Sequence, residues 1–446
     1  MISNLRPFKF VQINHADGNS VSEDDQLKII DRDIFGSIVI EQSSKMIWSA
    51  KMTLLDESRV WMNADPRVPT STGKRFSIWG KNIDIYAGYV HSSTDKKLMK
   101  PLLSGQVVRI NPVFSDDGLP KVQLQIFNGM WNLHKRRRTV TYPNQIARKE
   151  ERVDWSTGRA LITRDKYRED DRSFANKFPI RLSEIINGIL IAHGYQQENI
   201  LIDLSGDDPH YDGKETIVRQ VDETDWEFLV GLANSYGLEI IDDNESDRII
   251  VARKRNFDKE IDDRIKFVYH HKHGKKISLE EFDPSKPNTL LPINSINLSL
   301  DHTVPQGFIT KSFDLKGNNI FVIQDNEDPG LVWEISEEKI RANPDLANEF
   351  VSKYPSNIEN TRWEDVVVFW RSHATSRKYD PTARTRRFYG DGHVLSFRCP
   401  ASPYVTVGKR YKVDGIDPWT PERGWYCNEI THTIGDSYFM DVKLTM

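Results

Sequence analysis

The chain has 446 residues, 38% hydrophobic and 28% charged, which on a soft scale of about 150 residues per domain suits roughly three domains. A net charge of −4 is small for this length and excludes the strongly basic balance of a general nucleic-acid binder. Two cysteines, Cys399 and Cys427, exclude a disulfide framework and fit a reducing compartment. They read either as two buried thiols or as one bridge across neighbouring C-terminal strands, the first being simpler. The N-terminal stretch holds no apolar run of signal-peptide length, and no window of about 18 apolar residues marks a membrane span. Eleven tryptophans suit core positions and protein interfaces about equally.

Residues 1–33 are polar and poorly periodic, and read as an arm or edge segment. Ile34 to Leu55 reads as two strands: Ile38 and Ile40 alternate with polar residues, and Met46, Trp48, Ala50, Met52 and Leu54 form a period-2 stripe. The loop Asp65–Gly73 breaks the pattern. Strands resume at Phe76–Ile78, through Ile83, Ile85, Ala87 and Tyr89, over Leu102–Ile110, and over Val122–Phe127 after a turn at Ser115–Gly118. Short strands with Gly/Asp turns at such spacing predict an antiparallel barrel or sandwich. Residues 134–172 then lose apolar periodicity. They carry His134-Lys135-Arg136-Arg137-Arg138 and later mixed-charge runs, and read as a solvated insertion.

From Pro179 the period becomes helical. Leu182, Ile185, Ile186, Ile189 and Leu190 share a face, Ser183 and Glu184 suit its start, and Gly194 suits its end. The stretch Glu215–Lys254 reads as strand, capped helix and hairpin. Thr224 and Glu227 form the T-x-x-E capping box, in which each side chain takes a free backbone N–H of the other. Trp226, Phe228, Leu229, Val230, Leu232 and Ala233 supply the apolar face, and Gly237 suits a left-handed C-cap. The hairpin strands are Leu238–Ile241 and Arg248–Ala252. Phe178–Arg253 is thus predicted to be a small α+β unit of two helices on a few strands. It holds no nucleophile–base pair and no metal-ligand spacing.

Residues 254–292 are charged, and His270-His271-Lys272-His273 reads as an exposed loop rather than a metal site, because no acid or cysteine stands at ligand spacing. Strands are predicted at Ile293–Leu300, Ile309–Phe313 and Ile320–Ile323. Residues 328–374 read as mostly helical, with Asn343-Pro344 starting one helix and Trp363, Val366, Val367 and Trp370 facing another. Arg371, Arg377, Lys378, Arg384, Arg386 and Arg387 make the strongest cationic run, either a solvated linker or a contact for an acidic partner surface or nucleic acid. The tail is strand again: Val394–Arg398, Val405–Val413, Gly424–His432 and Tyr438–Leu444, the last two joined across Gly435-Asp436.

The ordered pieces Glu223-Thr224-Asp225-Trp226-Glu227-Phe228-Leu229, Leu232-Ala233, Tyr236-Gly237-Leu238, Gly408–Val413, Tyr426, Ile430, His432, Met440, Val442 and Leu444 resemble the phage late control protein D family, the hub proteins of contractile tails. The hub part of type VI secretion spike proteins looks similar. The resemblance spans most of the chain outside two insertions. It implies an α+β, mainly β fold with two tail-tube-like antiparallel β-barrels around an α+β domain. The boundaries are then 1–133 (first barrel), 134–177 (charged insertion), 178–256 (α+β), 257–327 and 391–446 (second barrel), and 328–390 (helical and basic insertion).

The resemblance further implies a homotrimer in the virion tail baseplate, assembled in the host cytoplasm. It would join the hexameric tail tube protein to the trimeric spike protein, with baseplate wedge proteins beside the insertions, and without membrane binding, specific nucleic-acid binding, cofactor or catalysis. Thr224, Trp226, Glu227, Phe228, Leu229 and Gly237 are then structural residues. Two other readings remain: an adaptor carrying effectors in a secretion-type injection apparatus, and a baseplate glycan-cleaving enzyme. The enzyme would need two carboxylates in a cleft, for which Asp225, Glu227, Glu364 and Asp365 are candidates. For Asp225 and Glu227, helix capping explains the acids better.

Overall fold

The computed structural model describes residues 5–14, 27–29, 34–44, 46–56, 82–91, 97–114, 119–143, 153–154, 159–160, 179–204, 208–211, 218–236, 238–243, 248–253, 261–269, 289–293, 295–300, 308–313, 319–324, 332–346, 367–370, 393–416 and 424–445. The first strands are β1 (Leu5–Asn14), β2 (Leu27–Ile29), β3 (Ile34–Ser43), β4 (Ser49–Leu55), β5 (Asn82–His91), β6 (Lys97–Phe114) and β7 (Pro120–Asn128). A 3-10 turn, Gly129–His134, leads to β8 (Arg137–Tyr142), β9 (Val153–Asp154) and β10 (Arg159–Ala160). The middle of the chain contains β11 (Ile180–Arg181), α1 (Leu182–Ala192), β12 (Ile200–Asp203), β13 (His210–Tyr211), β14 (Val218–Thr224), α2 (Asp225–Tyr236), β15 (Leu238–Asp243) and β16 (Arg248–Arg253). Then come β17 (Ile261–Tyr269), β18 (Thr289–Ile293), β19 (Ser295–Leu300), β20 (Phe308–Phe313), β21 (Asn319–Gln324), β22 (Val332–Ser336), α3 (Glu337–Ala342) and β23 (Val367–Trp370). The chain ends in β24 (His393–Pro400), β25 (Arg410–Asp414), β26 (Trp425–Ile434) and β27 (Tyr438–Thr445).

Alternation builds the large sheet. In β4, Ala50, Met52 and Leu54 are buried and Lys51 is exposed, as a pleated strand with one face on a core requires. Its strand order is β18-β17-β25-β26-β3-β4-β7-β6-β5-β1-β2, with β27, β24 and β19 continuing from β26. The decisive link is β26. Its residues Glu429–Ile434 pair antiparallel with β3, from Glu429↔Ser43 to Ile434↔Ile38, while its other edge pairs with β27. Among the described residues no sheet is closed, and the strands expected in the two barrels lie in one sheet: β26 hydrogen-bonds to first-domain β3 as well as to its own hairpin partner. A single apolar core follows, in which Ile40, Leu54, Ile85 and Leu124 join Phe267, Tyr411, Trp425 and Met440. The arm of the sequence reading includes β1, which pairs with β5 throughout its length, and edge strand β2.

The second core is the α+β unit. The apolar face of α1 (Leu182, Ile185, Ile186, Ile189, Leu190) meets that of α2 and the inner residues of the mixed sheet β12-β16-β15. Gly194 follows α1 with φ +92°, the left-handed geometry glycine allows. At the start of α1 the Arg181 N–H donates to Glu184 Oε2 at 2.9 Å, and the Ser183 hydroxyl donates to Asp208 at 2.6 Å.

Several expectations are corrected. Met46 is not in the β4 stripe but in the exposed turn before it. The start of the solvated insertion is a strand: β8 pairs with β14, and Tyr142 is fully buried. The charged 254–292 region contains β17, held parallel to β25 and β18, with Ile265 and Phe267 buried. The strand predicted over Ile293–Leu300 is present as β19, antiparallel to β24, but Ile293 itself ends β18, which runs parallel to β17. The helix expected around Trp363–Trp370 is, over its described part, strand β23, parallel to β20 in a four-stranded sheet. The run Val367-Val368-Phe369-Trp370 has the β-branched and aromatic character of strands. Asn343 does cap a turn, accepting the Asp345 N–H at 3.2 Å. Cys399 and Cys427 are buried free thiols, the first beside Met440 and the second beside Leu444 on opposite sides of β27.

Candidate functional site

The start of α2 carries the densest polar geometry. The Thr224 N–H donates to Glu227 Oε2 at 2.8 Å, and the Glu227 N–H donates to Thr224 Oγ1 at 3.1 Å. The capping box is closed as the sequence predicted. The hydrogen bonds from Thr224, first backbone and then hydroxyl, hold the Glu227 carboxyl below its ordinary range.

Asp225 does more than a first-turn acid need do. It is fully buried. Gln220 Nε2 donates to its Oδ1 at 2.9 Å, His193 Nε2 lies 2.8 Å from Oδ2, and Arg138 Nε lies 3.4 Å from the same oxygen. One carboxylate thus ties the end of α1, the start of α2, and strands β8 and β14. Sequence reasoning assigned Asp225 to the helix dipole and missed His193, Gln220 and Arg138. These three are far apart in sequence and no local pattern joins them. Neither Asp225 nor Glu227 stands free in a cleft as a glycan-cleaving acid must. Glu364 and Asp365 lie outside the described residues.

Trp226 is 8% exposed. It ends an aromatic ladder that starts on β7: Phe127 stacks on Trp131 at 4.7 Å, Trp131 meets His134 at 5.2 Å, and His134 meets Trp226 at 6.1 Å. Burial pulls the His134 pKa down, partly offset by Glu227. Phe228 stacks on Tyr142 of β8 at 5.4 Å, and Leu229 is buried. Gly237 lies outside the described residues, as do Arg371, Arg377, Lys378, Arg384, Arg386, Arg387 and the His270–His273 run.

Strand β15 seats the α+β unit on the large sheet. Asn128 Nδ2 donates to Asp242 Oδ2 at 2.8 Å, and the Tyr426 hydroxyl donates to Glu239. Gly408 has φ +89°, and a Cβ there would stand 2.5 Å from Ile241 Cδ1. Beside this seam is a cavity of about 170 Å³ lined by residues from β3, the turn before β4, β6, β15 and the loop before β25, Gln42, Trp48, Leu102, Asp242 and Val405 among them. Where β6 passes into β7, at the turn end of the hairpin, Phe114 is 81% and Leu119 39% exposed. Among the described residues no group of three or more His, Cys, Asp or Glu could hold a metal ion, and no helix is long and apolar enough to cross a membrane.

No protein-family model matches the sequence, and the search of curated proteins finds no relative. Solved structures do share the fold. A 43 kDa tail protein of prophage MuSo2 from Shewanella oneidensis aligns with a TM-score of 0.53 at 10% sequence identity, over 98% of this chain and 98% of that one. A tail protein from Neisseria meningitidis MC58 aligns with a TM-score of 0.52 at 9% identity, over 98% of this chain and 97% of that one. The likeness runs almost end to end in both, and it is a likeness of fold.

Proposed function

We propose that the chain is a non-enzymatic structural protein of a contractile tail, the hub that adapts a hexameric tube to a trimeric spike. The observation that carries this reading is the fold shared with two tail proteins over 98% of the chain. The motif order of the sequence points the same way. Three copies, each with two tube-like units, would offer six similar units to the tube and threefold symmetry to the spike. In this reading 1–133 forms one unit and 257–327 with 391–446 the other, with the 178–256 module wedged on the seam between them. The insertions 134–177 and 328–390 reach wedge neighbours, and the arginines from Arg371 to Arg387 meet an acidic partner surface. The place of action is the virion tail, with assembly in the host cytoplasm.

The test is the mass of the purified chain in solution, alone and mixed with the tube protein of the same tail. A trimer that co-elutes with tube protein is the expected result. A monomer that ignores tube protein overturns the proposal.

A further inference from the structure

His432 belongs to the C-terminal motif, yet the proposed function gives it no task. It is fully buried at the middle of the β3–β26–β27 junction, opposite Ile40 on one neighbour and Met440 on the other. Its Nδ1 is 3.1 Å from the Tyr438 hydroxyl, and the two rings are 5.8 Å apart. Its Nε2 has no hydrogen-bond partner. Buried polar atoms are nearly always paired, so this one stands out.

Beyond the Tyr438 hydroxyl, the surroundings give a charged imidazole no acceptor at Nε2. Tyr438 packs on Tyr89 at 5.6 Å, and the Tyr89 hydroxyl donates to the Ala401 carbonyl at 2.7 Å. In the same row across β27, Cys399 is a buried thiol whose pKa burial pushes up. Lys9, from β1, directs its ammonium to the Gly36 carbonyl at 3.0 Å. Glu41 and Asp441 pair in register with Thr431, and Glu429 with Ser43 and Lys443. These positions are on the opposite face of the sheet from His432. Among the described residues, therefore, no carboxylate faces the ring. A protonated imidazole has two N–H donors, and the one on Nε2 would meet no acceptor.

We propose that His432 makes the β26 junction an acid-labile joint: in acid, the C-terminal strands part from β3 while the α+β unit stays folded. The position gives the effect its reach, because β26 is where the first-domain strands join the last ones. Burial holds the folded-state pKa down to about 3, whereas an opened strand titrates near the ordinary value of about 6.5. The sign follows. A depressed folded-state pKa contributes stability that is fully present above about pH 6.5 and is lost as pH falls from there toward 3. Between pH 7 and pH 5 the opened population should rise about 25-fold.

Hydrogen exchange of the full chain, read by mass spectrometry and corrected for the intrinsic pH dependence of exchange, tests this. At pH 5 relative to pH 7, peptides covering β3, β26 and β27 should lose protection by about 25-fold, while α1 and α2 hold theirs. His432→Phe should flatten that response to within about threefold. His432→Gln, neutral and able to meet the Tyr438 hydroxyl, serves the same comparison if the phenyl ring does not fit. An equal pH response in wild type and the folded variant overturns the proposal. So does a loss of protection at pH 5 spread evenly over α1 and α2, or no loss in wild type. None of these outcomes depends on trimer or tube binding.

Discussion

Asp225→Ala is the sharpest test of how the α+β unit is held together. The carboxylate is fully buried with Gln220 at 2.9 Å, His193 at 2.8 Å and Arg138 at 3.4 Å. Hydrogen bonds to a charged group contribute about 1.5–3 kcal/mol each, but the losses here are not independent. The Gln220 amide keeps a second acceptor, the Glu223 carbonyl at 3.0 Å. The Arg138 side chain is 21% exposed and can turn toward water. His193 loses the partner that fixes its ring, and the first turn of α2 loses an acid worth about 0.3–1 kcal/mol against the helix dipole. A cost of about 3–5 kcal/mol follows, the range for removing one partner of a buried ion pair. Asp225→Asn keeps shape and an acceptor and should cost about half as much. Urea unfolding followed by helical circular dichroism at pH 7.5 measures both. An alanine variant within 1 kcal/mol of wild type, the threshold of about one ordinary hydrogen bond, would refute the view that this carboxylate organises the unit.

Three further outcomes are expected. Trp226→Ala should destabilise the same unit by about 3–5 kcal/mol, the range for truncating a buried tryptophan, and Trp226→Phe should retain most of the stability; a tolerated alanine would mean the ladder from Phe127 carries no load. Gly408→Ala should cost about 2–4 kcal/mol through left-handed strain and overpacking, and adding Ile241→Ala should restore only the steric part, read as thermal midpoints of the single and double variants. Burial pushes the Cys399 and Cys427 thiols up from their ordinary range, so native protein at pH 8 should resist a maleimide that labels both thiols in urea; rapid native labelling would contradict their burial.

Local chemistry was legible in the sequence wherever it was also local in space. The Thr224–Glu227 box, the α1 face and the β26–β27 hairpin depend on neighbours a few residues away, and all three are as read. Long-range pairing left no comparable trace. Nothing in Ile38–Ser43 says that β26 will lie against it, and that pairing puts the strands of both expected barrels into one sheet among the described residues. Strand β17 was hidden for another reason: Asp262, Asp263, Arg264 and Lys266 interrupt the apolar pattern, and while Arg264 pairs with Asp262 in the same strand, other partners come from β25 and its flanks. Lys266 and Lys412 pair with Asp414 and Asp263, and Lys409 approaches Asp262 at 3.9 Å. Strand β23 was a period error, since a four-residue apolar run fits helix and strand alike.

The same distinction explains why the candidate site was half read. A first-turn acid carries one sequence signature whether it faces water, as Glu227 does, or is sealed under two helices and two strands, as Asp225 is. What separates them is the burial of Gln220 and the arrival of His193 and Arg138, which only the folded chain supplies. For the hub role proposed above, this is the expected distribution of information. Catalytic sites concentrate their chemistry in recognisable groups, whereas a mechanical part spreads its function over strand pairings and packed seams. The residues that matter most should then be those that hold a unit together, as Asp225 does, or that sit at junctions between strand sets and units, as Gly408 and His432 do. Each has an ordinary local pattern and an unusual environment.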